Sequence, residues 1–318
     1  MNNNERKFCV VLPSKNEGEI IKEVIYEIQN IFKVNGYKKP TIIVTDDSND
    51  ETRKYIKSTD AIIVNGGGKG LGFAMYQGLK YSLGFKPDLI FSCDSDGQID
   101  LNEIPKFIKA IENDNADLVL GSRFLKSGLV EYKYRWINRL GTIILSRILR
   151  SFTGLKLTDS HGGLRCMRPE VIRELEMLGT HTYVQETIID AYEKGFRIIE
   201  IPSIWKKRKV GKSKVVGSIP TYIFYTLPIL IIRSKQHIKW LYSIGIILCS
   251  MAVIYFSLIS WQAAFDFKSM FSRLPSFIFI ALLVLVGIQL FFFGFILQII
   301  KDIKYRIDRI DRIDKNWK

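Results

Sequence analysis

The chain has 318 residues, 46 of them Lys or Arg against 32 Asp or Glu, for a formal charge of +14. That length holds one large domain or two. The charge suits either nucleic acid or an anionic lipid surface with an anionic substrate, but no nucleic-acid motif accompanies it and much of it borders two charge-free stretches, which argues against nucleic acid.

In chain order, residues 8–12 read as a compact apolar strand that ends in the turn Pro13-Ser-Lys-Asn16-Glu17. The polar residues 1–7 and the shortness of this strand leave no signal core. Apolar residues at Ile20, Ile21, Val24, Ile25, Ile28, Ile31 and Phe32 have the spacing of an amphipathic helix. A second strand, 41–45, ends at Asp46-Asp47, and Ser48-Asn-Asp-Glu51 supplies capping residues for the next helix. Residues 61–64 predict a third strand, 70–83 a helix, 89–93 a fourth strand closed by Asp94-Ser-Asp96-Gly-Gln98, and 117–120 a fifth ending at Gly121-Ser-Arg123. A late strand at 197–201 leads into the basic loop 206–214. This alternation predicts an α/β fold, a mainly parallel sheet with helices on both faces.

Residues 240–261 and 275–300 contain no Asp, Glu, Lys or Arg, and each reaches the roughly 20 residues of a membrane-spanning helix. The only basic residues of the link between them are Lys268 and Arg273, whereas both flanks are strongly basic, so the positive-inside rule puts the two ends and the N-terminal domain in the cytoplasm. The expected organisation is a cytoplasmic α/β domain at 1–214, an interfacial amphipathic segment at 215–238 interrupted by Pro220 and Pro228, and a two-helix anchor at 239–318. Ile300, Ile303, Ile307 and Ile310 then recur at heptad-like spacing, which allows an oligomer contact or a membrane-surface helix. The cysteines Cys9, Cys93, Cys166 and Cys249 form no C-x-x-C pair and read as small buried hydrophobes.

Acids recur at strand ends: Glu17, Asp46 with Asp47, and Asp94 with Asp96. Parallel strands bring such residues to one edge, where open α/β sheets bind ligands, so jointly they favour a nucleotide site. Asp94 and Asp96 are hard oxygen ligands suited to Mg²⁺ or Mn²⁺ completed by substrate phosphates; an acidic turn or helix cap is the alternative. The stretch Asn65-Gly-Gly-Gly-Lys69-Gly-Leu-Gly72 matches neither a P-loop nor a dinucleotide fingerprint. It reads as a tight loop that lets the backbone, with Lys69, approach a diphosphate or base, or as a plain turn.

The ordered set of Pro13-Ser-Lys-Asn16-Glu17, Asp46-Asp47-Ser48, Lys69-Gly70-Leu-Gly72, Asp94-Ser-Asp96-Gly-Gln98, Gly121-Ser122-Arg123-Phe124, Asp159-Ser-His-Gly-Gly163-Leu-Arg165, Gln185-Glu186 and Arg208-Lys-Val-Gly-Lys-Ser213-Lys214 resembles glycosyltransferase family 2 enzymes of GT-A fold. Within that family it is similar to the polyprenyl-phosphate glycosyltransferases. The resemblance implies inverting transfer of one hexose or N-acetylhexosamine from a nucleotide sugar to a polyprenyl phosphate. It implies that Pro13, Glu17, Asp46, Asp47 and Lys69 hold the nucleotide, that Asp94, Asp96 and Gln98 surround the metal, and that Arg208, Ser213 and Lys214 close over donor phosphates. Ser122, Arg123 and Arg139 would receive the acceptor phosphate, with Glu186 as a positioning residue. The chain departs from the common pattern at Ser14-Lys15 and at Gly162.

A phosphate monoester has a second pKa of about 6, so its oxygen is largely deprotonated at pH 7 and a dedicated general base is unnecessary. His161 accordingly reads as a buried hydrogen-bonding residue. A processive polysaccharide synthase of the same family carries Q-x-x-R-W and more spans, whereas Gln185 here leads into Glu-Thr-Ile-Ile. A membrane scaffold with a degenerate site is the non-enzymatic alternative, and intact acids argue against it.

Overall fold

The computed structural model describes residues 5–132, 136–177, 179–180, 183–208, 237–262 and 273–316. The chain divides into two compact units, Met1–Arg233 and Ser234–Lys318. The expected interfacial segment and the residues Ser213 and Lys214 lie outside the described residues, except for the end of that segment at residues 237–238.

The first unit is built on a seven-stranded sheet in the order β3-β2-β1-β4-β6-β5-β7. Its strands are β1 (Phe8–Ser14), β2 (Thr41–Asp46), β3 (Ile62–Asn65), β4 (Leu89–Ser92), β5 (Leu118–Ser122), β6 (Arg165–Met167) and β7 (Ile198–Pro202). β1 is apolar almost throughout and wholly buried, as a central strand covered on both faces must be. All pairings are parallel except those of β6, which runs antiparallel to both β4 and β5. Three residues are too few to show a periodicity, so this strand was not expected from the sequence.

Alternate residues of β1 feed two cores. Val10 and Leu12 pack with helix α1 (Ile20–Val34), with Ile56 of α2 (Thr52–Lys57), and with Phe107 and Ile108 of α4 (Ile104–Asn113). Cys9 and Val11 pack with Met75 and Leu79 of α3 (Leu71–Ser82), Val171 of α6 (Pro169–Glu174) and Ile188 of α7 (Val184–Glu193). The buried face of α1 is the stripe of seven apolar residues read from its spacing. Between β5 and β6 runs α5 (Trp136–Thr153), whose buried Leu149 meets Ile189 of α7.

The second unit is a pair of apolar helices, α8 (His237–Gln262) and α9 (Leu274–Asn316). Within them Ile238–Gln262 and Leu274–Ile300 are long and apolar enough to cross a membrane, matching the charge-free stretches. They approach closely through small residues: a Cβ on Gly287 would stand 2.6 Å from the Cys249 Sγ, and one on Gly245 3.0 Å from the Gly287 carbonyl oxygen.

In the first unit α3 lies close on the sheet at Gly78, where a Cβ would stand 2.5 Å from Val11 Cγ1 and 2.7 Å from Thr45 Cγ2. Gly78→Ala is therefore expected to cost about 1–3 kcal/mol by overpacking. Gly84→Ala, with nothing within 4 Å of its new methyl group, is expected to be neutral or to stabilise by up to about 1 kcal/mol. Denaturant midpoints of the two variants in one detergent check both signs.

Candidate active site

Strand order reverses at β1: β2 and β3 lie to one side, β4 and the rest to the other. A crevice opens at such a point beyond the carboxyl ends of the strands. Asp94 and Asp96 follow β4 directly into it. The tip is stitched to β1 by Cys93 N donating to the Val11 carbonyl at 3.1 Å and by Ser95 Oγ donating to the Pro13 carbonyl at 2.5 Å.

The half-buried Asp94 carboxylate lies against Gly163, where any Cβ would come within 2.4 Å of its Oδ2. Burial and the neighbouring Asp96 charge push its carboxyl up to about 7, against the pull of Arg165, Arg123 and Arg208. Asp96 is buried; its Oδ1 accepts from the Gln98 N–H at 3.0 Å and its Oδ2 is ion-paired to Arg208 Nη2. Arg208 Nε also reaches Gln98 Oε1 at 3.5 Å. One cation thus already contacts oxygens of both Asp96 and Gln98. The chain holds it there by zipping residues 204–206 onto the loop after β4: Asp100 N to the Ile204 carbonyl (3.2 Å), Lys206 N to the Gln98 carbonyl (2.7 Å), and Lys206 Nζ to Asp100 Oδ1 (3.0 Å).

On the β1–β2 side the two loops are laced together. Asn16 N donates to Ser48 Oγ and Asn16 Nδ2 to Asn49 Oδ1, both at 2.8 Å, beside Pro13 and the half-buried Glu17. The fully buried Asp46 shapes this edge: its Oδ1 accepts from Ser48 N and Oγ, and its Oδ2 from Arg53 Nε at 3.0 Å. Asp47 is more open and accepts from the Gly68 N–H at 2.9 Å. That amide of the glycine-rich loop therefore serves a carboxylate of the same edge, while the exposed Lys69 lies over the Phe73 ring at 4.8 Å.

At the β5 tip, Arg123 is buried in a bidentate pair with Asp159, Nε to Oδ2 at 2.6 Å and Nη2 to Oδ1 at 2.8 Å. Its guanidinium lies over Trp205 at 4.5 Å and near Phe124 at 5.2 Å. Arg139, exposed on α5, approaches the same Phe124 ring at 5.8 Å, so the two arginines named from the sequence flank one aromatic side chain. Ser122 is turned inward, sharing a hydrogen bond with Thr158 Oγ1 at 2.7 Å.

His161, Gln185 and Glu186 form a further polar group. The His161 ring nitrogens engage Ser160 Oγ and Gln185 Nε2, each at 2.9 Å. Burial, reinforced by Arg123, pushes the imidazole down to about 4, so it is neutral at pH 7. Glu186 is buried and its Oε2 accepts from the Gly179 N–H at 2.8 Å. The departure at Gly162 has a steric reason: a Cβ there would stand 1.7 Å from the Gly121 carbonyl oxygen.

The profile of glycosyl transferase family 2 matches residues 9–176. The chain belongs to this family. The glycosyltransferase is 30% identical over 211 residues to an uncharacterized glycosyltransferase of Mycobacterium bovis, covering 66% of this chain and 90% of the relative. It is 31% identical over 221 residues to the dolichol-phosphate mannosyltransferase of Pyrococcus furiosus, covering 66% of this chain and 60% of that one. In fold it resembles mannosyl-3-phosphoglycerate synthase from Rubrobacter xylanophilus, with a TM-score of 0.56, 16% identity, and 73% and 75% of the two chains covered. It also resembles glucosyl-3-phosphoglycerate synthase from Mycobacterium tuberculosis in complex with Mn²⁺, uridine diphosphate and phosphoglyceric acid, with a TM-score of 0.55, 17% identity, and 73% and 79% covered. The fold is GT-A.

Three residues around the candidate site carried no assigned role in the sequence reading: Asp159, Trp205 and Glu200. Asp159 and Arg123 are 36 residues apart, and Glu200 accepts from the Thr158 and Asp159 N–H groups 42 and 41 residues away. No local spacing signals such pairs; only the Asp159 motif pointed to the segment.

Burial alone raises the Asp159 carboxyl, but Arg123 outweighs it and the net shift is downward. Asp159→Asn leaves a buried guanidinium without its counter-charge and is expected to cost about 3–5 kcal/mol at pH 7. A depressed carboxyl stabilises the fold above its unfolded value near 4 and ceases to do so as pH falls through its folded value. Unfolding curves of the two proteins should accordingly converge in acid.

Proposed function

We propose that this glycosyltransferase moves a single sugar, with inversion, from a nucleotide sugar to a polyprenyl phosphate at the cytoplasmic face of a membrane. The observation that carries the reading is the meeting on one sheet edge of the acid pair at the β1–β4 crevice with Arg123 and Arg139 around Phe124, in a chain that also has two apolar helices of spanning length. The similarity to a dolichol-phosphate mannosyltransferase supports the same acceptor class.

Asp94, Asp96 and Gln98 would hold a divalent ion, Mg²⁺ or Mn²⁺. The fit rests on chemistry and position: hard oxygens from Asp96 and Gln98 already converge on one cation, the Arg208 guanidinium. Among the described residues no cluster of three or more His, Cys, Asp or Glu could hold an ion alone, consistent with a shell that donor phosphates complete. When bound, such an ion neutralises the charge growing on the nucleoside diphosphate leaving group.

The remaining roles belong to side chains. Pro13, Glu17, Asp47 and Lys69 border the nucleotide, with Asp46 as the buried carboxylate that shapes their loop. Arg208 would face the donor phosphates; Ser213 and Lys214, outside the described residues, are assigned to the same phosphates by the family motif alone. Arg139 and Arg123 attract the acceptor phosphate, Asp159 and Trp205 fixing the Arg123 plane. Ser122 contributes by holding Thr158 rather than by reaching outward. A phosphate monoester, whose second pKa is about 6, attacks the anomeric carbon as the C–O bond to the diphosphate breaks, and no base has to remove a proton. The neutral, doubly engaged His161 agrees with that, and Glu186 positions the 179 backbone.

Purified protein in detergent, offered GDP- and UDP-sugars with polyprenyl phosphate or 3-phosphoglycerate, is expected to yield a glycolipid by mass spectrometry. Product only on phosphoglycerate would overturn the lipid acceptor. Asp96→Ala is expected to lower the rate at least about a hundredfold while circular dichroism shows the fold retained. Because an Asp94 carboxyl near 7 must lose its proton to bind metal, Mn²⁺ affinity should weaken as pH falls from 8 to 6, with the change concentrated below 7. Paramagnetic resonance titrations of Mn²⁺ at the two pH values measure this without turnover.

A further inference from the structure

The side of α9 turned away from α8 carries a second pattern. Stepping alternately by three and four residues from Phe279 gives ten consecutive positions ending at Ile310, all apolar except Gln289. Those as far as Ile303 are exposed. At about 100° per residue they fall on the far side of the helix from Gly287 and Gly294, which face α8. α9 stays helical to Asn316, about 24 Å past Ile300 at 1.5 Å per residue.

Lipid accounts for exposed apolar side chains within the span. It does not account for Gln289, an exposed amide near the middle of Leu274–Ile300, because hydrocarbon offers it no hydrogen bond. Nor does it account for Ile303, Ile307 and Ile310, which continue the series past the span among Lys, Arg and Asp. A repeat of 3.5 residues sustained this far is the period of a left-handed coiled coil.

We propose that the protein self-associates through this face of α9, parallel copies packing along one seam from the span into the tail, with Gln289 amides hydrogen-bonding across the axis. A second copy fits for three reasons. Copies inserted in one orientation present α9 in parallel, as an in-register seam requires. An amide both donates and accepts, so Gln289 is complementary to itself. In a parallel in-register pair, the flanking positions of Arg306 in one copy and Asp311 in the next meet with opposite charge. Isoleucine at both seam positions of the tail favours three or four strands over two. The inference is independent of the transferase reading.

The test uses the full chain in membranes, with Cys249→Ser as background. Ile296→Cys lies on the seam and the adjacent Phe295→Cys lies off it; both positions are exposed. Under a mild oxidant Ile296→Cys is expected to give a disulfide-linked pair and Phe295→Cys none, and Gln289→Leu is expected to reduce the Ile296→Cys product several-fold. Native mass spectrometry of the unmodified protein should show two to four copies. Equal cross-linking at the two positions, or a single-copy mass, overturns the seam; cross-linking insensitive to Gln289→Leu overturns the role of the amide.

Discussion

The buried pair of Arg123 and Asp159 holds together the half of the candidate site that the parallel strands alone do not organise. Burying two charges costs several kcal/mol each, and the cost is offset only when the remaining polar atoms are satisfied. Here Asp159 accepts from Arg123 N, Nε and Nη2 and from His161 N, while Glu200 accepts from the backbone of Thr158 and Asp159. The pair thereby joins the β5 tip, the 158–161 turn and β7. Trp205, which follows β7, closes the stack over the guanidinium.

From that anchor the acid side of the crevice follows. The turn held by Asp159 leads into Gly162 and Gly163, whose bare backbones lie against the Gly121 carbonyl and the Asp94 carboxylate. A side chain at either would push apart β5 and the segment beside the acid pair. Arg165, two residues on, is buried on β6, with Nη1 donating to the Val184 carbonyl at 2.9 Å, and its charge draws Asp94 toward ionisation. The Trp205 segment also carries Lys206 and Arg208 back across the loop after β4. Arg123 thus serves both sets of charges, pairing with Asp159 and lowering the Asp94 carboxyl.

The other side of the crevice is built differently, from short polar side chains. Asn16, Ser48, Asn49 and Thr52 tie the β1 and β2 loops by hydrogen bonds from one loop to the other, and Asp46 is buried beside them. The strand ends beneath these loops lie in register, Ser14 opposite Asp46 and Asp46 opposite Asn65. This side was the more legible from sequence, because its residues lie within a few positions of strand ends.

Sequence alone determined the alternation of strands and helices, the α1 stripe, the two apolar helices, and the residues at the strand tips: Glu17, Asp46, Asp47, Asp94, Asp96 and Arg123. Each is a local signal, a periodicity or a residue type beside a breaker, and the ordered motifs added the family. Tertiary structure decided the rest. It set β6 antiparallel between β4 and β5, turned Asp46 and Ser122 inward, paired Arg123 with Asp159, and brought Arg208 onto Asp96 across 112 residues of chain. Those outcomes depend on which distant groups can satisfy a strand edge, a buried hydroxyl or a buried charge, and such satisfaction has no period along a chain.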